Sequence, residues 1–324
     1  MNMTERDGKF DMISRSLPSS DGLGNLIKQF DKEAEGTQLM ASPYRLLNKM
    51  IGGGFRKGML SIIAGPPGNG KSYLAYKMLL WFIKQKTKVV YLPLENTHND
   101  TLRRIMASYV GSWGMVDASE TYAKERKAAF INSSELVKVF HSVENCVCQN
   151  PGRLMYDDEG NAFIPGIPFS EVTEMLKEFC TRADMIIIDP ITKLDADPHG
   201  GQAHLQEQQF VKDLKAIAES CDCHIMMIGH TKKRTKHNGK EVGLAMDDLS
   251  GSVAWSRFCQ YAFLLDYHDE VESDVTLGGG ITKMVKHQRT LKIAKVNEGS
   301  GKGQLLAFDF HHGPDMVEMG WITK

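Results

Sequence analysis

No segment of this 324-residue sequence is apolar over the roughly 18 residues that a helix needs to cross a membrane. Glycine and proline occur at ordinary frequencies, and no internal repeat or low-complexity tract interrupts the chain. These absences exclude membrane-spanning, collagen-like and disordered proteins. The length suits one large globular domain, or a smaller one with an extension.

The sequence also has no excess of charge of either sign. It contains 39 Lys and Arg residues and 40 Asp and Glu residues, which give a formal net charge of −1. This balance produces no overall attraction to nucleic acid or to anionic lipid, so any polyanion site must be a local patch. The N-terminal residues lack the apolar core of a signal peptide, and we therefore expect a soluble, cytoplasmic protein.

Cysteine is scarce, with six residues in the whole chain. Cys146 and Cys148 form one Cys-x-Cys pair, and Cys221 and Cys223 form a second pair that His224 follows. Such spacing raises the question of a zinc site. Both pairs lie in or beside apolar, strand-like stretches, where a cysteine behaves as a small hydrophobic residue, so we expect them to pack in the core.

The N-terminal residues 1–40 are polar and weakly patterned, apart from the short amphipathic stretch GNLIKQF. This segment is too small to fold alone. Two interpretations remain open, a frayed arm or an arm that docks on a neighbouring copy of the same protein. Residues 41–324 are expected to form the globular domain.

The globular part alternates short apolar runs with longer helical segments, which predicts an α/β fold with a mostly parallel central sheet. The predicted strands are LSIIAG, KVVYLPLE, DMIIIDP, CHIMMIGH and CQYAFLLD. Near the C-terminus, TLKIAKVN and QLLAFDF flank the glycine-rich turn EGSGKG. This pattern predicts a β-hairpin that extends the sheet at its edge.

A glycine-rich loop is the strongest functional signal. It matches the pattern GxxxxGK[ST], follows an apolar strand and begins a helical segment. In such loops the backbone N–H groups face phosphate oxygens, the start of the helix adds a partial positive charge, and the lysine neutralises the β- and γ-phosphates of a nucleotide. The predicted nucleotide-binding residues are Gly65, Pro66, Pro67, Gly68, Asn69, Gly70, Lys71 and Ser72.

A magnesium site is predicted beside this loop. The Ser72 hydroxyl is suited to bind Mg²⁺, and Asp189, which ends the apolar run of DMIIIDP, is suited to complete the metal shell. The expected cofactors are therefore ATP and Mg²⁺.

Two further polar residues end predicted strands. Glu95 ends KVVYLPLE, the next strand along the chain, and is the candidate that orients the attacking water; the alternative is a carboxylate that caps a turn. His230 ends CHIMMIGH and is suited to sense the γ-phosphate; the alternative is a structural histidine. With Lys71 and Asp189, these two residues complete the candidate catalytic set.

A basic segment, TKKRTKHNGKEVG, follows His230 directly. It is the local patch that a polyanion site requires, because each lysine or arginine can neutralise one phosphate. A solvated run of charge is the alternative. The candidate DNA-binding residues are Lys232, Lys233, Arg234, Lys236 and Lys240.

These segments occur in a specific order together with others, which are SPYRLLNKMIGGGFRKGMLSIIAGPPGNGKS, YLPLEN, DMIIIDP, QQFVKDLKAIAESCDCHIMMIGHTKK, DDLSGSVAWSRFCQYAFLLD and LKIAKVNEGSGKGQLLAFDF. In this order they resemble the RecA-fold P-loop ATPase core of the DnaB-type replicative helicases, and they are also similar to the plasmid RepA-type hexameric helicases. The resemblance implies a homohexameric ring with ATP at each subunit interface, single-stranded DNA in the central channel and 5′ to 3′ movement.

Two departures from the helicase pattern matter. Where the helicase hairpin usually has Lys-x-Arg, this sequence has Lys295, Val296 and Asn297, so that only the lysine, which reaches the neighbouring subunit's nucleotide, is matched. Lys302 and Arg289 are the candidates to replace the missing arginine. His230 stands where DnaB-type cores carry glutamine, which is closer to the RepA group. The resemblance leaves a loader or primase as a partner open, and we expect a minimal motor.

The expected function is that of an ATP-dependent DNA helicase or translocase in DNA replication. Two alternatives remain. One is a RecA-like recombinase or recombination mediator that forms filaments on DNA, and the other is an ATP-gated regulatory protein of the KaiC-like type, for which the missing arginine is the best argument.

Overall fold

The computed structural model describes residues 24, 27, 39–117, 119–152, 155–156, 159, 162–163, 166–197, 202–231, 236–237, 240–241, 244–249, 254–277, 279–311 and 313–323. The chain divides into two compact units, residues 1–39 and residues 40–324. In the first unit the structure places Gly24 and Ile27 in helical conformation. The predicted N-terminal arm otherwise lies outside the described residues, and its docking stays a prediction.

The helices of the described part are α1 (Arg45–Met50), α2 (Lys71–Lys84), α3 (His98–Val110), α4 (Glu120–Asn132), α5 (Ser134–Glu144), α6 (Phe169–Cys180), α7 (Ala203–Cys221) and α8 (Ala254–Phe258). Three short 3₁₀ turns cover Trp113–Met115, Ile191–Lys193 and Met246–Asp248. In the described part of the chain, none of these helices is long and apolar enough to cross a membrane.

The strands are β1 (Leu39–Met40), β2 (Phe55–Arg56), β3 (Leu60–Gly65), β4 (Val89–Pro93), β5 (Met155–Tyr156), β6 (Ala162–Phe163), β7 (Ile167–Pro168), β8 (Met185–Asp189), β9 (Leu194–Asp195), β10 (His224–His230), β11 (Lys236–His237), β12 (Lys240–Glu241), β13 (Tyr261–Thr276), β14 (Thr282–Val296), β15 (Leu305–Phe310) and β16 (Met316–Ile322). Eight of them form one sheet in the order β14, β15, β16, β13, β3, β10, β8, β4.

The five central strands confirm the predicted α/β fold. β13, β3, β10, β8 and β4 lie side by side, and each neighbouring pair is parallel. Every residue of β3 and β8 is buried. Alternate residues contribute to two separate hydrophobic clusters: Ile187 packs with Leu79 of α2, while Ile186 packs with Leu214 of α7. Helices therefore cover both faces, which explains the continuous apolar character of these strands.

The C-terminal extension is larger than the sequence pattern predicted. The predicted hairpin is present, because β14 pairs antiparallel with β15 from Arg289 opposite Phe308 to Lys292 opposite Leu305. In addition, β13 and β14 form a long antiparallel hairpin, and β16 pairs with β15 and then with the far end of β13 at Val275. The outer half of β13 is largely exposed and polar, so its sequence carries no apolar run that would predict a strand.

The cysteines contribute to packing to different degrees. Cys180, Cys223 and Cys259 are buried, while Cys146 and Cys148 are half-buried, and all are free thiols. Among the residues that the structure describes, no group of three or more His, Cys, Asp or Glu side chains is arranged to hold a metal ion.

A buried histidine fixes the start of β10 in the core. The two ring nitrogens of His224 lie 2.8 Å from the Ser61 hydroxyl and 2.6 Å from the Arg56 carbonyl oxygen. Burial lowers the pKa of His224 from 6.5 to about 4, with the Arg56 carbonyl opposing this shift and Lys215 adding to it. His224 is therefore neutral in the folded protein above pH 4.

We expect His224 to weaken the fold in acid. Between pH 6.5 and pH 4 the unfolded chain binds a proton at this position and the folded chain does not, so the free energy of unfolding falls as pH falls. The contribution of His224 amounts to about 3 kcal/mol between pH 7 and pH 4. Urea unfolding of the wild type and of His224→Gln across this range should show a shallower decline in the variant. Parallel declines would contradict the prediction.

Candidate nucleotide-binding site

The carboxyl ends of the parallel strands place several polar side chains at one edge of the sheet. His230 of β10 is in register with Gly65 of β3, and Asp189 of β8 is in register with Pro93 of β4. A pocket of about 560 Å³ opens at this edge. It brings together five of the residues that the sequence predicted, namely Lys71, Ser72, Glu95, Asp189 and His230.

The glycine-rich loop follows β3 and ends where α2 begins. Gly68 and Gly70 have φ angles of 81° and 94°, in the left-handed region that glycine adopts without strain. Gly65 is required for a different reason: a Cβ atom there would lie 2.1 Å from the carbonyl oxygen of Leu265 in β13. The neighbouring strand thus leaves no room for a side chain at the start of the loop.

Lys71 is the first residue of α2, and it is only 5% exposed. Its Nζ donates a hydrogen bond to the carbonyl oxygen of Pro66, at 2.8 Å. Burial lowers the pKa of Lys71 to about 8, against the opposing influence of Asp189 and Glu95. The ammonium group is therefore mainly protonated at neutral pH and is available to a phosphate.

Asp189 is 6% exposed and lies between two hydroxyl groups. The Tyr91 hydroxyl donates a hydrogen bond to Oδ2, and the Ser72 hydroxyl bonds the same carboxylate. Burial raises the pKa of Asp189, while these two bonds and the charge of Lys71 oppose the rise. The Ser72 hydroxyl and the Asp189 carboxylate are the hard oxygen donors that Mg²⁺ prefers, and they adjoin the loop, so the residues present fit this ion.

Glu95 and His230 line the same pocket from different strands. Glu95 is exposed and lies two residues beyond β4. β4 is next to β3 along the chain, but β8 and β10 separate the two strands in the sheet. The Nδ1 atom of His230 lies 3.1 Å from the Thr192 hydroxyl. Burial and the charge of Lys71 lower the pKa of His230, with Glu95 opposing, so this imidazole is neutral at pH 7.

Sequence analysis missed one wall of the pocket, which is aromatic. The rings of Tyr73, Trp113 and Phe310 meet edge to face, with centroids 5.3–5.6 Å apart. Arg104 lines the same side and hydrogen-bonds Tyr73. These residues come from α2, α3, a 3₁₀ turn and β15, so no local pattern connects them. The wall offers flat apolar surface to a planar ring such as a nucleobase.

Two residues of the C-terminal hairpin lie in different places. Lys295 does not line the pocket; its Nζ donates a hydrogen bond to the Arg257 carbonyl oxygen at 3.2 Å. Its assignment to a neighbouring subunit's nucleotide stays a prediction. Arg289 lines the pocket of its own chain and is 6% exposed. As a candidate for the missing arginine, Arg289 is thus placed within its own subunit.

The basic segment is described only in part. Lys232, Lys233 and Arg234 lie outside the described residues. Lys236 and Lys240 belong to β11 and β12, which pair antiparallel as a short hairpin. Their assignment to DNA stays a prediction.

The chain belongs to the AAA domain family, whose model matches residues 32–236. Its fold is that of the RecA-type ATPase cores of DnaB-type helicases. The solved ATPase domain of one helicase superposes with a TM-score of 0.65 at 16% identity, over 93% of this chain and all of that domain. A DnaB-like replicative helicase, solved with a study of its interactions with primase, superposes with a TM-score of 0.63 at 16% identity, over 97% of this chain and 71% of that one.

A second group of similar proteins is related to recombination. The RadB recombinase structure superposes with a TM-score of 0.50 at 16% identity, over 86% of this chain and 98% of that one. The DNA repair and recombination protein RadB of Methanosphaera stadtmanae is 41% identical over 49 residues, which are 15% of this chain and 21% of that protein. The match therefore spans about a fifth of this relative's length.

We expect Gly65→Ala to damage both stability and nucleotide binding. The added methyl group would meet the Leu265 carbonyl oxygen, and relieving this clash must move β13 away from β3 at a cost of about 1–3 kcal/mol. Thermal unfolding and ATP titration would measure the two effects. Gly229→Ala is the matched control, because a Cβ there makes only ordinary contacts in the same sheet. Equal melting temperatures for the two variants would contradict this account.

Proposed function

We propose that the protein is an ATP-dependent DNA helicase or translocase that acts as a homo-oligomeric ring, a hexamer, on single-stranded DNA during DNA replication. One observation carries the proposal. A single pocket unites the phosphate loop, the acidic residues Asp189 and Glu95, and His230, and the chain continues from His230 directly into the basic segment.

Each residue of the pocket has a chemical task in ATP hydrolysis. Lys71 and the loop N–H groups bind the phosphates, and Ser72 and Asp189 would hold Mg²⁺, which when bound supplies positive charge to the β- and γ-phosphates. Glu95 orients the attacking water from the exposed side of the pocket. Since the buried Lys71 and neutral His230 are already in place, little reorganisation is required when ATP binds.

The base of the basic segment supports coupling between hydrolysis and DNA binding. Thr231 donates a backbone hydrogen bond to the Gly65 carbonyl oxygen at 3.3 Å, and it forms a β-bridge with Leu249. Both ends of the segment are therefore held beside the phosphate loop. A shift of His230 on loss of the γ-phosphate would move the base of this segment, and with it the candidate DNA-binding lysines.

A ring would bring the C-terminal hairpin of one subunit to the nucleotide of the next. Lys295 and Lys302 lie close enough for the charge of Lys302 to lower the pKa of Lys295, along with burial as the larger cause. Two adjacent cations on an antiparallel hairpin are suited to a neighbouring triphosphate. A loader or primase partner belongs to the same proposal, because the DnaB-like neighbour was solved with a study of its interactions with primase.

The RadB matches favour a second candidate, a RecA-like recombinase or recombination mediator. The nucleotide pocket would work in the same way, but the protein would assemble into filaments on DNA without unwinding it. Electron microscopy with ATP and single-stranded DNA distinguishes closed rings from filaments, and a forked DNA substrate tests unwinding.

We expect single-stranded DNA to stimulate ATP hydrolysis in the wild type. Lys71→Ala should abolish hydrolysis, while Glu95→Gln should bind ATP and lose turnover by about 10²-fold or more, because the variant keeps the shape of the side chain and loses the carboxylate. Steady-state hydrolysis with and without DNA, together with ATP titration, provides the measurements. Normal turnover by Glu95→Gln would remove Glu95 from its catalytic role, and hydrolysis indifferent to DNA would argue against a DNA motor.

Neutralising the basic segment should weaken DNA binding. In the variant K232Q/K233Q/R234Q we expect lower affinity for single-stranded DNA, and a salt dependence of log K smaller by about 2, because three phosphate contacts are lost. Fluorescence anisotropy at several salt concentrations would measure both quantities. Unchanged affinity and slope would show that the segment is only a solvated face, and ATP binding by the same variant serves as the control.

A further inference from the structure

The C-terminal strands hold the tip of the phosphate loop from outside. Asn69 is 7% exposed, and its side-chain amide donates to the Leu265 carbonyl oxygen of β13 at 3.1 Å. Its backbone carbonyl oxygen accepts a hydrogen bond from Nε of Arg289 in β14, at 3.0 Å. One loop residue is thus anchored by two strands that lie more than 190 residues further along the chain.

The Arg289 guanidinium is itself held on several sides. It lies over the Phe310 ring, 4.2 Å from the centroid, and 5.2 Å from the centroid of the Tyr267 ring. Nη1 donates to Oδ1 of Asp309 at 3.2 Å. Burial lowers the pKa of Arg289, and Asp309 opposes the shift, so the group remains charged at neutral pH. Stacking and pairing together leave the guanidinium plane few alternative orientations.

The bond to Asn69 has a consequence for the neighbouring donor. A peptide unit is planar and trans, so the N–H of Gly70 points opposite to the carbonyl of Asn69. Because Arg289 holds that carbonyl outward, it directs the Gly70 N–H toward the inside of the loop. Among the residues that the structure describes, the Gly70 N–H has no hydrogen-bond partner, and Gly70 lines the pocket. A backbone donor in this setting is suited to a phosphate oxygen.

Gly70 shows how closely the C-terminal strands approach this peptide. A Cβ atom on Gly70 would lie 2.9 Å from Met316, 3.2 Å from Phe310 and 3.4 Å from Nε of Arg289. The loop tip is therefore packed against β14, β15 and β16. The φ angle of 94° at Gly70 adds the conformation that lets α2 begin at Lys71.

We propose that Arg289 is a positioning residue for the phosphate loop of its own chain: by fixing the Asn69–Gly70 peptide plane it presents the Gly70 N–H to a bound nucleotide phosphate. This inference rests on the proposed nucleotide binding and deepens it. It assigns Arg289 to the nucleotide of its own subunit, and leaves Lys295 and Lys302 as the hairpin cations available to a neighbour.

The test compares Arg289→Lys with wild type in the full chain. Lysine keeps the charge, but its single nitrogen lacks the planar fork that reaches both the Asn69 carbonyl and Asp309. We expect ATP and ADP to bind about 10-fold more weakly by isothermal titration calorimetry. At saturating ATP, kcat should stay within about twofold, because the lost interaction acts on ground state and transition state alike.

Controls separate this role from general damage to the fold. Arg182→Lys changes an exposed arginine that pairs with Glu178 on α6, and it should bind ATP as the wild type does. If Arg289→Lys unfolds, Asp309→Ala provides the second test, because it releases Nη1 and leaves the bond to Asn69 in place. In a folded Asp309→Ala variant we expect ATP affinity to fall by about threefold or more.

Two negative results have different meanings. A wild-type protein that does not bind ATP would overturn the proposed function and leave the packing of Arg289 a matter of stability. Wild-type binding with unchanged affinity in folded Arg289→Lys, or in folded Asp309→Ala, would overturn the positioning role alone. A drop in kcat at unchanged nucleotide affinity would also contradict it, because a positioned loop donor acts on binding.

Discussion

The buried ammonium group of Lys71 is the constraint on which the site depends. A charge that is 5% exposed is stable only where nearby groups replace water, and here the Pro66 carbonyl, Asp189 and Glu95 do so. These groups come from three places in the chain, and the parallel sheet brings them to one edge. The electrostatics of the pocket therefore depends on strand order as well as on the loop sequence.

The C-terminal strands belong to the nucleotide site as much as the phosphate loop does. Leu265 of β13 approaches Gly65 so closely that only glycine fits, and Arg289 of β14 bonds the loop tip. Phe310 of β15 contributes to the aromatic wall. A movement of this antiparallel extension would be transmitted to the loop through packed, hydrogen-bonded contacts. In the proposed ring, the same strand that carries Arg289 carries Lys295 toward the next subunit, six residues further on, which would link the two sites physically.

The parts of the site that sequence reasoning found share one property: each residue stands in a local pattern. Lys71 and Ser72 belong to a loop with fixed spacing, and Asp189 and His230 end apolar strands whose carboxyl ends must meet if the sheet is parallel. Trp113 and Arg289 could not be found in this way. Their contacts with the pocket join elements far apart in the chain, and β13 and β14 continue through polar residues that carry no strand signal.

The amino-acid sequence by itself determined the α/β class, the phosphate loop and the polar strand ends, because apolar periodicity and loop spacing are local properties of the chain. Only the tertiary structure decided that β8 and β10 separate β4 from β3, that the C-terminal strands curl back on themselves, and that Arg289 faces its own loop. The physical reason is that these features depend on long-range packing of side chains against the sheet and the loop, and the partners in such packing are set by the fold as a whole.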